Sequence, residues 1–188
     1  YKPGTLHSIS CFIKKTKIQK AFIVDEFCTD YPYAVNESNY PSQLPDKIIN
    51  KAISDVQKFI SSLKLIDGLL HVQFILYKNN IFLVESMRRM PGDFYGKLIE
   101  LSNGCSYYKS YVCSFTESES SSDIANIEKN ERLIVRQTIT SPIPKVMTSI
   151  SFNCSGKIIE LFTFAKNGQD LNKFPFDKQG VAFFEYNN

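Results

Sequence analysis

Apolar positions recur at two different spacings along the chain. From 46 to 63 they fall three and four residues apart, at Ile48, Ile49, Ala52, Ile53, Val56, Phe59, Ile60 and Leu63, with Lys47, Asn50, Lys51, Asp55 and Lys58 on the remaining face. This spacing predicts an amphipathic helix over Pro45–Leu63. Pro45 suits its start and Asp67-Gly68 follows its end. The other apolar runs are shorter and rich in β-branched and aromatic residues. Leu6–Ile13 and Ile18–Phe27 flank a basic turn, Lys14-Lys15-Thr16-Lys17. Leu70–Tyr77 and Ile81–Glu85 flank Lys78-Asn79-Asn80. Both pairs read as β-hairpins. The three lysines of the first turn could attract phosphate, but a solvated turn is the plainer reading.

Cys28–Leu44, rich in Tyr, Pro, Asn and Ser, reads as an irregular loop. Phe94–Asn103 has helical spacing, with Asp93 placed to cap its start and Gly104 to stop it. Tyr107–Phe115 reads as another short helix. Ser118–Ser122 is of low complexity and, with Asp123–Glu131, forms an expected linker or mobile loop. Beyond it four strands are expected, at Leu133–Ile139, Val146–Asn153, Lys157–Phe164 and Val181–Tyr186. The fold class is therefore α+β, a mainly antiparallel sheet with flanking helices, followed by a small β-rich C-terminal subdomain. The expected boundaries are 1–116, a linker at 117–131, and 132–188.

Composition removes several classes of function. At 188 residues, with 43% hydrophobic and 22% charged, the chain is an ordinary globular one that can bury a core unaided. A net charge of +3 is too mild to argue for nucleic acid. No apolar run approaches the roughly 20 residues of a membrane span. Five cysteines lie scattered, without metal-ligand spacing, which fits reduced thiols and a cytoplasmic protein. The chain opens Tyr1-Lys2-Pro3-Gly4 without Met and soon enters a strand, so it is expected to be a piece of a longer protein. His7 and His71 are far apart, and no triad order, Walker A motif or GxGxxG occurs. His71, on a strand, reads as packed or hydrogen-bonded. The 15 Phe and 10 Tyr read as core.

Chemistry concentrates between Gln73 and Asp93. The second hairpin ends in Glu85, and Arg88, Arg89 and Asp93 follow. A three-residue turn would set Gln73 opposite Glu85 and His71 opposite Met87. A two-residue turn would send Gln73 and Glu85 to opposite faces. The first register places a carboxylate beside an amide with arginines just beyond, a set able to hold a hard cation together with phosphate oxygens. The plainer reading is a solvated strand end with a surface salt bridge.

Gly68-Leu69-Leu70-His71-Val72-Gln73-Phe74, then Ile81 through Asp93 with Glu85-Ser86-Met87-Arg88-Arg89 and Pro91-Gly92-Asp93, then Leu98-Ile99 and Gly104-Cys105-Ser106-Tyr107 resemble the C-terminal lobe of ATP-grasp enzymes. Upstream, Gly4-Thr5-Leu6-His7-Ser8-Ile9-Ser10 resembles the strand that follows the adenine-binding hinge. The helix over Pro45–Leu63 also lies where that lobe has one. The resemblance covers about residues 1 to 116. The tail from Arg132 resembles, less specifically, the small β-rich extension of the carboxylate–amine ligases of this group.

The resemblance implies a ligase that phosphorylates a carboxylate with ATP and passes the acyl-phosphate to an amine or similar nucleophile. It implies ATP and Mg²⁺ as cofactors, and small-molecule carboxylate and amine or amino-acid substrates. Neither nucleic acid nor membrane is an expected partner. Glu85 matches the metal ligand, Gln73 the place of the first acidic ligand, and Arg89 the arginine that contacts phosphate or acyl-phosphate. Met87 stands where the family has Asn. Gln73 offers oxygen without charge and Met87 a soft thioether, so Mg²⁺ binding is expected to be weakened, with Asp93 as a compensating carboxylate. The other lobes are expected upstream of Tyr1. The 188 residues alone are then expected to be inactive, to bind ATP weakly, and to dimerise or contact another chain through surface meant for the missing lobe. The alternatives are an ATP-grasp-derived binding or structural domain with a degraded metal site, and an unrelated α+β ligand-binding domain.

Overall fold

The computed structural model describes residues 3–116 and 131–186. Its main body is one antiparallel sheet of eight strands, in the order β5-β4-β1-β2-β3-β6-β10-β8. The strands are β1 (Thr5–Lys14), β2 (Lys17–Phe27), β3 (Glu37–Tyr40), β4 (Gly68–Tyr77), β5 (Asn80–Met87), β6 (Leu133–Ile139), β8 (Lys157–Thr163) and β10 (Gly180–Tyr186). A separate two-stranded ladder pairs β7 (Lys145–Val146) with β9 (Asp170–Leu171). The helices are α1 (Asp46–Ser62), α2 (Tyr95–Asn103) and α3 (Tyr107–Cys113). Among the described residues no helix is long and apolar enough to cross a membrane.

The sheet is covered on both faces near its centre, which is why β1, β2 and β4 read as continuous apolar runs. On one face Ala52, Val56 and Ile60 of α1 pack on Ile9, Cys11, Ile23, Val72 and Phe74. On the other, Tyr95, Leu98 and Ile99 of α2 and Tyr107 of α3 pack on Phe12, Phe22, Val24, Ile134 and Phe183. Phe12, Phe22 and Tyr107 meet edge to face at centroid distances of 5.4 to 6.4 Å. Full burial of one such side chain contributes about 1.5–3 kcal/mol. The long helix was legible because α1 has only this one apolar stripe to bury.

Four local expectations need correction. Cys28–Leu44 is not irregular throughout. It contains β3, whose polar sequence Glu-Ser-Asn-Tyr hides a strand paired on both sides, with β2 and with β6. The expected strand Val146–Asn153 shrinks to Lys145–Val146, because the residues after Met147 find no strand to pair with, although Phe152 packs edge to face on Phe184 at 5.5 Å. Asp93 does not cap α2. Asp93 and Phe94 are both left-handed, with φ of 54° and 58°, Phe94 is the cap residue, and the Asp93 carboxylate turns to Lys178 instead.

The fourth correction concerns the second hairpin. Its turn is the two-residue kind, Lys78-Asn79, both at positive φ as a type I′ turn requires, and Tyr77 pairs with Asn80. A bulge then interrupts the ladder: Phe74 pairs with Leu83 but Gln73 with Glu85, leaving Val84 as the extra residue. The bulge shifts β5 by one residue and restores the Gln73–Glu85 and His71–Met87 pairs that a two-residue turn alone would forbid.

The expected linker lies outside the described residues except for Glu131, whose carboxylate accepts from the Tyr40 hydroxyl at 2.5 Å. Strands β6, β10 and β8 from the C-terminal part extend the main sheet through the β3–β6 pairing.

Candidate functional site

A cleft of about 220 Å³ opens on the sheet face that carries α2, at the end of α2 where residues 87–93 cross over. Alternate residues of neighbouring strands point into it. Glu26 comes from β2, Ser38 from β3, His71 and Gln73 from β4, Glu85 and Met87 from β5, and Arg136 from β6. Arg89 and Asp93 stand on the crossing segment. A larger hollow, about 360 Å³, lies at β7 and β9. Its lining includes one lysine and one aspartate but none of the residues above, so the smaller cleft is the one with chemistry.

Three of its features are buried and fixed by hydrogen bonds. The Gln73 side-chain amide donates to Glu26 Oε2 at 2.7 Å. Burial pushes the Glu26 carboxyl above its ordinary range, against the hydrogen bonds of Ser8 and Gln73 and the charge of Arg136. Arg136 is 3% exposed, and it donates to the Asp93 carbonyl and to Ser38 Oγ, each at 3.0 Å. Its burial lowers its pKa, and Asp93, Glu26 and Glu37 oppose that shift. Asp93 lines the cleft, but Lys178 Nζ holds one carboxylate oxygen at 2.7 Å and Arg136 lies 3.9 Å from the other.

His71 forms part of the cleft wall and is 2% exposed. Its Nδ1 meets Ser10 Oγ at 2.8 Å, and Ser10 Oγ also accepts from the Tyr107 hydroxyl at 3.1 Å. Its ring packs edge to face on Tyr95 at 5.0 Å. Burial, helped by the charge of Arg89, lowers its pKa to about 4, so the ring is neutral near pH 7.

The structure thus brings Gln73, Glu85 and Arg89 to one cleft, with Met87 beside them. Glu85 and Arg89 are solvent-exposed at its rim, where Arg89 donates to the Met90 carbonyl at 3.1 Å. His7 stands apart on the other face, held by Asp25 at 2.8 Å and Thr5 at 2.7 Å and stacked on Phe74. Sequence reasoning missed Glu26 and Arg136. Each had a signal, as an acid beside Asp25 directly after the apolar run Ala21–Val24 and as the lone cation of Leu133–Ile139.

The donor set admits one divalent cation. Glu85 supplies a free carboxylate and Gln73 an amide oxygen, since only its nitrogen is engaged by Glu26. A second hard cation would need another free carboxylate, whereas Glu26 and Asp93 already have partners. Among the described residues no three of His, Cys, Asp and Glu cluster as a metal site on their own.

No family model matches the sequence, and no curated protein matches it. Solved structures do match the fold. The chain superposes over its whole length on phosphoribosylglycinamide synthetase from Anaerococcus prevotii, with a TM-score of 0.85 and 18% identity, covering 49% of that chain. It superposes likewise on L-amino acid ligase from Bacillus licheniformis, with a TM-score of 0.82 and 15% identity, covering 48% of that chain. An N5-carboxyaminoimidazole synthase from Aspergillus clavatus, solved with ADP and 5-aminoimidazole ribonucleotide, matches 97% of this chain and 46% of its own at a TM-score of 0.65 and 12% identity. The chain spans about half the length of these ligases. The resemblance to ATP-grasp ligases therefore holds for the architecture of the chain as a whole, an α+β fold on a mostly antiparallel eight-stranded sheet.

Proposed function

We propose that the chain is the C-terminal part of an ATP-dependent carboxylate–amine ligase, and that the cleft is where the ATP phosphates and the carboxylate meet. The observation that carries this reading is the convergence of Gln73, Glu85, Arg89 and the buried Arg136 on one cleft. In phosphoryl transfer to a carboxylate, two anions must approach and charge spreads over the transferred phosphoryl group, so positioning and countercharge supply most of the catalysis. A divalent cation bound at Glu85 would neutralise phosphate charge. Arg89, exposed at the rim, reaches outward to phosphate or acyl-phosphate oxygens. Arg136 is clamped by Ser38 and the Asp93 carbonyl, so it presents a pre-oriented charge to the substrate carboxylate without losing rotamer freedom on binding. Small carboxylates and amines or amino acids are the substrate class, in a cytoplasmic setting.

The relatives are twice as long, so this reading assigns ATP binding and turnover to a longer chain, with the 188 residues alone inactive. The exposed Leu83 and Val84 of edge strand β5 then meet the remaining lobes or a second copy. One observation favours a second reading, a binding domain with a degraded metal site: Gln73 spends its amide on Glu26 where the family has a free carboxylate.

The deciding experiment measures ADP release by the chain extended upstream, with Mg-ATP and pools of amino acids and small carboxylates, beside Glu85→Ala. Release that needs substrate and vanishes in the variant supports the ligase. Nucleotide binding without release under any pool supports the binding domain.

A further inference from the structure

We propose that the cation of this cleft is a borderline divalent ion of the Mn²⁺-to-Zn²⁺ range, ligated by His71 Nε2, Met87 Sδ and Glu85, rather than magnesium. The proposal takes the cleft as the cation site of the reading above and concerns which ion these side chains select.

Three observations lead to it. His71 and Met87 are direct partners across the β4–β5 ladder, and Gln73 and Glu85 are the next cleft-facing pair along it. The bulge at Val84 puts all four side chains on one face. Cβ atoms of directly opposed residues lie about 4.5–5.5 Å apart, within the span of one metal ion and two side chains. Imidazole and thioether are soft to borderline donors that suit later first-row ions, whereas magnesium demands oxygen.

The third observation is the set of hydroxyl groups behind His71. A hydrogen bond from Ser8 works against the upward shift of the Glu26 carboxyl. The Tyr95 hydroxyl and Ser8 Oγ lie 2.9 Å apart. Ser10 Oγ meets His71 Nδ1 at 2.8 Å and accepts from Tyr107 at 3.1 Å. Ligation through Nε2 requires the ring proton on Nδ1, where Ser10 Oγ can accept it. The ring is 2% exposed and lines the cleft. A histidine whose far nitrogen is held by a hydrogen-bonding group has the usual outer shell of a metal ligand.

The tautomer can be read without any ligand, from ¹⁵N shifts of the histidine ring in the 188-residue chain near pH 7. Protonated Nδ1 with unprotonated Nε2 is expected. A protonated Nε2 would make the ring a donor to anions and overturn the proposal. Calorimetric titration with CoCl₂ and MgCl₂ follows, in a Cys154→Ser background so that the exposed thiol does not compete. Co²⁺ is expected to bind at least about tenfold more tightly than Mg²⁺, and Met87→Leu to weaken Co²⁺ on the order of 10-fold while leaving Mg²⁺ unchanged. Met87→Asn is expected to move the preference toward Mg²⁺. Equal affinity for the two ions, or Co²⁺ binding indifferent to Met87→Leu, would sink the proposal. Co²⁺ binding by the site with no nucleotide binding in the longer chain would instead sink the ligase reading and leave the metal site standing.

Discussion

Gln73 donates its side-chain amide to Glu26 across the full width of β1, the strand that separates their own. Strands two apart lie about 9.5 Å from each other, and the contact is possible because small Ser8 sits between them on that face and bonds Glu26 as well. The amide neutralises nothing, yet it gives a buried carboxylate a donor that an acidic residue at 73 could not provide.

Gln73→Glu would set a second carboxylate against Glu26. The expected result is a lower melting temperature at neutral pH by an amount corresponding to about 1–3 kcal/mol. Added Mg²⁺ should recover it in the variant and not in the parent, since the ion would stand between the two acids. Thermal melts with and without MgCl₂ check both halves.

Acid should weaken the fold through His71. The unfolded chain takes up a proton near the ordinary value of 6.5, which the folded site refuses until about 4. The unfolded state therefore binds more protons between those values, and stability falls as pH drops through that window and levels off above it. The loss from this residue is on the order of 3 kcal/mol. Urea denaturation across pH 4 to 7 should show the slope, and His71→Gln should flatten it.

Arg136→Ala should destabilise the chain by about 3–5 kcal/mol, because it leaves the buried Glu26 facing a cavity without its countercharge and strips Ser38 and the Asp93 carbonyl of their donor. Arg136→Met, which keeps most of the volume, should cost less. Urea midpoints of the two variants give the comparison.

Alkylation should discriminate among the thiols. Burial pushes Cys11 and Cys105 up to about 12, so almost no thiolate exists there at neutral pH. Cys154 is exposed. Mass spectrometry after brief iodoacetamide treatment of the native chain should find Cys154 modified well before Cys11 or Cys105.

Much of the fold could be read along the chain because local patterns enforce it. The stripe Ile48, Ala52, Val56, Ile60 can bury only as a helix, and the runs around Lys14–Lys17 and Lys78–Asn80 can pair only as hairpins. The resemblance of Glu85 through Asp93 to a ligase motif pointed to the cleft that holds Gln73, Glu85 and Arg89. β3 was hidden because its residues are polar, and what makes it a strand is the pair of strands beside it. Arg136 lies 51 residues beyond Glu85, and no local pattern ties the two together.

The sequence by itself determined the helices, most of the strands other than β3, and where acid, amide and arginine are concentrated, because those depend on neighbours a few residues away. Tertiary structure decided the rest. The bulge at Val84 chose the face on which Glu85 stands, the β3–β6 pairing brought Arg136 beside Glu26, and the β1–β4 pairing set Ser10 against His71. Each of these depends on which strand lies next to which, and hydrogen bonds between distant segments settle that only once the sheet has closed.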